Sequence, residues 1–292
     1  MSSTAGGRAT EAGMAFQAMV GTWFAAHLIA VHPLGARFGL PTALVATELQ
    51  FESDAAVDDI VVSLDDSRKI YIQCKTNLSL DKGAESALGK TLAQLVRLYR
   101  ATSLASIAAV LLATSEGAAR SLEKLEMACR AFDLGETWDS VHGRLPDGPR
   151  GALDLFKEHA DRAWKKDPTA GVPSNTDLAQ LARLFRIVRF GDSKASADWR
   201  EGATLLGTSV YRDAPTGHNA ATALLDVVRK QIRSGAAGSK HGLLDSLRKA
   251  GFKDTKAPRF DTDIAALMRY SGAERERLAR HSLLGERLLA PI

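Results

Sequence analysis

Two short runs rich in β-branched residues, Asp59 to Leu64 and Lys69 to Lys75, flank the turn-forming cluster Asp65-Asp66-Ser67. Val, Ile and Tyr suit a pleated, half-buried surface, whereas Asp and Ser suit a tight turn. The pattern predicts an antiparallel hairpin. A lone hairpin is marginal in water, so it needs more strands or a helix over its apolar face. The neighbouring sequence offers both. Leu44 to Phe51 alternates weakly and predicts a strand. Helical periodicity runs from about 84 to 99, Ile107 to Ala113 predicts a buried strand, and 116–132 predicts a helix. Ahead of the hairpin, Thr10 is placed to cap a helix starting near Glu11. Met14, Phe16, Val20, Phe24, Leu28 and Val31 recur at roughly helical spacing, and His32-Pro33 ends the run. The expected class is α/β, in the order helix, three strands, helix, strand, helix, over residues 1–138.

Residues 139–292 read differently. Asp139 to Gly151 holds His142, Gly143, Pro146, Gly148 and Pro149, which predicts a breaking loop. Helical patterns follow at about 151–166, 176–188, 217–234, 241–250 and 261–290, with Arg186 to Phe190 as an alternative short strand. Gly235 to Gly238 and Pro258 interrupt them. A mainly α-helical second region is expected from 139 onward, to position a ligand, self-associate or pass on a signal.

Composition narrows the function classes. The chain has no run of about 18 apolar residues, so no membrane span is expected. Ala25 to Val31 is short, with no cationic leader or small-residue cleavage site, which argues against a signal peptide. Two cysteines, Cys74 and Cys129, make neither a disulfide framework nor a metal cluster, and a reducing cytoplasm is expected. The net charge of +4 permits nucleic acid without requiring it. Its distribution is more telling. Residues 1–100 hold 9 basic and 10 acidic side chains and the remainder 29 and 24, so acid comes early and base late. Eight basic residues between Arg229 and Lys256 face only Asp245 and Asp254. Arg229, Lys230, Arg233, Lys240, Lys249 and Lys253 are candidates to track phosphates, and equally a solvated helical face. His27 and His32, five apart, do not share a helical face and read as structural. No Gly-x-Ser-x-Gly elbow and no phosphate loop occur.

The hairpin carries the chemistry. Alternate side chains of a strand share a face, so Gln73 and Lys75 point one way and Ile70, Ile72 and Cys74 the other. Asp59 starts the partner strand, beside the end of the strand bearing Gln73 and Lys75. A carboxylate can hold a hard divalent cation with retained waters. Such a cation polarises phosphate and acidifies bound water, and an ammonium steadies the developing charge. Gln73 can add its carbonyl oxygen. Each residue also has a plainer use: Asp59 as a turn cap, Lys75 as a solvated strand end, Gln73 as an ordinary amide. Asp58 is a rival ligand expected to face the other side. Glu48 suits a salt bridge as well as a metal. Gln17 suits a buried, hydrogen-bonded amide as well as the site, and Glu11 suits the first turn of a helix.

Asp59 with Gln73-x-Lys75, preceded by the helix containing Gly13-Met14-Ala15-Phe16-Gln17, resembles the PD-(D/E)xK nuclease superfamily in its Gln-x-Lys variant. It is similar to Mrr-type restriction endonucleases and, more closely, to double-stranded-DNA effector nuclease domains of bacterial antiphage systems. The resemblance spans residues 11 to about 130. It implies a restriction-endonuclease-like mixed sheet, Mg2+ dependence with Mn2+ as a substitute, and endonucleolytic cleavage of double-stranded DNA; low sequence preference is expected because the sequence shows no recognition module such as a zinc finger or helix-turn-helix. It implies catalytic roles for Asp59, Gln73, Lys75 and Gln17, and metal ligation by Asp59 and Gln73 with Glu48 or Asp58. It also implies control through homo-oligomerisation or a sensor or ATPase partner. Gln73 stands where many members carry an acid, and Gln17 where many carry Glu. Both lower the site's negative charge, and Glu48 or Glu11 would have to compensate. The alternative is an inactive nucleic-acid-binding or assembly module on the same fold.

Overall fold

In the computed structural model, which describes residues 3–34, 36–51, 59–76, 78–166 and 171–253, the expected hairpin is the middle of a larger sheet. Strands β1 (Ala46–Phe51), β2 (Ile60–Leu64) and β3 (Lys69–Lys75) form an antiparallel meander. Helix α2 (Ala87–Ala101) then returns the chain so that β4 (Ile107–Ser115) pairs parallel with β3. Ser86 caps α2 by accepting the Gly89 N–H at 3.0 Å. Helices α3 (Ser121–Arg130), α4 (Trp138–Arg144), α5 (Asp147–Trp164) and α6 (Asn175–Leu184) follow. Strand β5 (Phe185–Phe190) joins β4 in parallel. After α7 (Ala197–Leu206), a π-helical turn (Gly207–Tyr211) and α8 (Ala214–Ser234), strand β6 (Ala237–Ser239) pairs antiparallel with β1, and α9 (Lys240–Lys249) closes the described chain. The result is a six-stranded mixed sheet in the order β5-β4-β3-β2-β1-β6.

Strand alternation gives the sheet two apolar faces. Leu49, Phe51, Ile60, Val62, Ile70, Ile72, Ala109 and Leu111 pack under helix α1 (Ser3–Ala30), with α7, α8 and α9 beyond it. Val61, Tyr71, Val110, Leu112 and Ile187 pack under α2, α3, α5 and α6. Helix α1 is apolar nearly all round, as a helix buried on several sides must be. By length and composition its stretch Glu11–Ala30 would suffice to cross a membrane, and 72% of it is buried in the fold.

Several expectations change. Helix α1 begins at Ser3 and not near Glu11. The segment around 139–151 is α4 and the start of α5 rather than a loop. Pro149 lies in the first turn of α5, where a helix needs no N–H donor. The sequence reading has no counterpart of α7 or β6, while Phe185–Phe190 takes the strand alternative. Strands β5 and β6 and helices α7 to α9 arise beyond residue 138 yet complete the same sheet and cores. Met1–Lys253 accordingly forms one compact unit, apart from Asp254–Ile292. Asp58, Pro258 and the helix expected at 261–290 lie outside the described residues.

Candidate functional site

The register of the meander builds the site. Ile60 pairs with Ile72 and Val61 with Tyr71, so Asp59, one residue before β2, falls opposite Gln73. There the Asp59 carboxylate oxygen Oδ2 accepts two hydrogen bonds, from Gln73 Nε2 at 2.5 Å and from the Cys74 backbone N–H at 2.6 Å. Helix α1 reaches the same point from the other side of the sheet: Gln17 Nε2 donates to the Asp59 carbonyl at 2.9 Å. Both amides are buried, with Gln17 at 6% and Gln73 at 2% exposure. The carboxylate is thus held by a side chain and the main chain of β3, and its backbone by α1.

Alternation along β3 does the rest. Cys74 faces the α1 layer with Ile70 and Ile72. Its thiol is pushed well above the usual range, first by burial and then by the Asp59 charge, with Lys75 acting in the opposite sense. The thiol therefore stays neutral. Gln73 and Lys75 face the other layer; Lys75 is half-buried and makes no ion pair among the described residues. The Gln73 carbonyl oxygen Oε1 is buried without a hydrogen-bond partner among the described residues. Buried polar atoms are seldom left so. A second such atom lies on the next strand. Thr114 is in register with Lys75, hence on the same face, and its fully buried hydroxyl also lacks a partner among the described residues. Ser115 ties these strand ends together, donating its hydroxyl to the Thr76 carbonyl at 2.6 Å.

Gln73 and Gln17 are thus brought against Asp59, and Lys75 lies two residues along β3 on the Gln73 face. Glu48 is not brought there. It is exposed and in register with Ser63 and Ser239, four residues along β2 from Asp59, or about 13 Å. Glu11 lies six residues before Gln17 on α1, about 9 Å of helix rise, in a groove facing α8. Among the described residues no group of three or more His, Cys, Asp or Glu side chains gathers. The oxygen donors on offer are one carboxylate, the orphaned Gln73 carbonyl and the Thr114 hydroxyl. That set suits a hard cation that keeps much of its water, and does not suit a cation needing a dedicated protein cage. Thr114 is the residue that sequence reasoning missed, because its neighbour is set by a parallel pairing across a long crossover. His27 is buried, tilted against the Trp23 ring at 3.7 Å between centroids, with its Nδ1 at 3.0 Å from the Trp23 carbonyl.

Comparison with known proteins finds no matching family model and no matching curated sequence.

Proposed function

We propose that the chain is a Mg2+-dependent endonuclease that hydrolyses DNA phosphodiester bonds, acting on double-stranded DNA with low sequence preference. The observation that carries this reading is a tethered carboxylate hydrogen-bonded to a buried amide whose own oxygen is orphaned among the described residues, with Lys75 two residues along the same strand face. The element order also supports it: helix, antiparallel meander, crossover helix and parallel strand agree with a restriction-endonuclease-like core. In this reading Asp59 and Gln73 Oε1 hold the ion, which when bound supplies Lewis-acid stabilisation and an acidified water. Gln73 Nε2 and the Cys74 N–H orient the carboxylate. Gln17 fixes the backbone that presents it. Lys75 orients the attacking water and steadies the negative charge that develops on the phosphate. The wider role is a cytoplasmic antiphage effector, restrained by self-association or by a sensor or ATPase partner. That role rests on the resemblance alone.

One observation favours a second reading, an inactive nucleic-acid-binding module. The Asp59 oxygen already serves two donors within the fold, as a purely structural carboxylate would. Plasmid cleavage separates the two. Wild type with Mg2+ should nick or linearise DNA, and Lys75→Ala and Asp59→Ala should each lose about 10²-fold or more in rate while keeping native circular dichroism. Wild type without metal-dependent cleavage, or Lys75→Ala cutting at the wild-type rate, would refute the nuclease.

A further inference from the structure

Helices α1 and α8 are separated by a groove that no part of the candidate site uses. Glu11, Met14 and Ala15 line one wall and Arg229, Ile232 and Arg233 the other, around a cavity of about 260 Å³. The spacing i, i+3, i+4 on both sides presents one face of each helix. Ile232 is buried at the base, and both arginines are exposed. Arg229 reaches Asp226 at 3.3 Å, a weak pairing at the surface, and Arg233 has no partner among the described residues.

The groove lies at the same end of the sheet as Asp59. Pairing of Gln50 with Ala237 sets the end of α8 beside the end of β1, and pairing of Phe51 with Ile60 sets that end beside Asp59. Helix α1 connects the two features directly. Gly21 lets it approach Phe51 and Val228 so closely that a Cβ there would lie 2.9 Å and 3.0 Å from their side chains. Gln17, a turn earlier, bonds to Asp59, and Ala15 to Glu11 continue along the helix into the groove. The groove therefore begins about 3 Å and ends about 9 Å of helix rise from Gln17.

Resting on the nuclease reading, we propose that this groove is a subsite for the phosphate backbone of the DNA being cut, with Arg229 and Arg233 as the cations that meet it. A guanidinium fork matches a phosphate and is the residue of choice for such contacts. Phosphates recur every 3.4 Å or so of axis along each strand, so a duplex lying across this end of the sheet, with the cut on the Gln73 and Lys75 face, presents further phosphates to the groove on the α1 face. Lys230 adds charge on the same helix. Glu11 opposes an anion here, which supplies a test of opposite sign.

The experiment measures binding of the full chain to a short duplex DNA by fluorescence anisotropy, in EDTA, across a salt series. Removing one phosphate-binding cation should flatten the plot of log affinity against log salt by about 0.9. Arg229→Gln/Arg233→Gln should therefore lower the slope by about 2, and Glu11→Gln should tighten binding. Arg130→Gln/Arg144→Gln removes equal charge at the end of α3 and of α4, where α3 has carried the chain back from the Ser115 end of β4 to the opposite end of the sheet, and should leave the slope unchanged. An unaltered slope in the groove variant, or an equal change in the control, overturns the subsite. If wild type also cuts DNA, the nuclease reading survives that result. Wild type with no salt-dependent DNA binding overturns both.

Discussion

Gln73 is the side chain on which the site turns, because its two terminal atoms face different fates. Nε2 is committed to Asp59 at 2.5 Å, while Oε1 is buried with no donor among the described residues. An unsatisfied buried carbonyl costs about 1–3 kcal/mol, and an ion or water placed against it would recover that. Replacing Gln73 with Glu keeps the shape but turns the donor into a second carboxylate oxygen against Asp59. Two carboxylates so close cannot both ionise freely. Gln73→Glu is expected to destabilise the metal-free protein by about 2–3 kcal/mol, a drop of several degrees in melting temperature. Mg2+ should return more of that loss to the variant than it adds to wild type. Thermal melts in EDTA and in Mg2+ check this, and a variant that melts like wild type in EDTA would show that the Nε2 hydrogen bond does not matter.

At the scale of elements, α1 and α7 are joined by a polar contact at the rim of an apolar layer, between buried Trp23 and His27 and exposed Glu201. Glu201 of α7 accepts the Trp23 indole N–H at 2.8 Å and lies 3.6 Å from the His27 ring. The His27 contact, ahead of Trp23, pulls the Glu201 carboxyl down from 4.5 to about 2, against the opposing effect of burial. A carboxyl depressed on folding stabilises the fold above its unfolded value, and that contribution disappears as pH falls through the folded one. The acid limb between about pH 4.5 and 2 should therefore be shallower in Glu201→Gln than in wild type when urea midpoints are compared. Helix α8 meets α7 more closely still. A Cβ on Gly217 would lie 2.4 Å from the Gly207 nitrogen and 2.5 Å from the Ala203 carbonyl oxygen. These are backbone atoms with no rotamer to escape into. Gly217→Ala should cost about 1–3 kcal/mol, seen as a lower urea midpoint with an unchanged m value. These helices also mark the limit of what sequence can show. The hairpin and the Asp59–Gln73 pairing are legible because a short turn fixes their register. Partners of β4 and β5 are not, since parallel pairing leaves no local signal, and Thr114 escapes notice with them. Pro149 suggests a break where it starts a helix, because the same residue serves both uses.

For the whole molecule, residue 138 does not divide the described residues into two bodies. Residues after 138 supply β5 and β6 to the sheet, α5 and α6 to one core, and α7 and α8 to the other. A fragment of residues 1–138 should lack a cooperative urea transition and bind a hydrophobic dye. A sharp two-state unfolding of that fragment would contradict the sharing of both cores between the halves.

The depth at which α1 is buried has a consequence for how the chain is made. Its coverings on α7 and α8 are encoded nearly two hundred residues later. At about 5–20 residues per second, a ribosome leaves that greasy segment unsheltered for about 10–40 s. Over that interval the emerging polypeptide offers chaperones, and membranes, the very surface that the finished protein conceals.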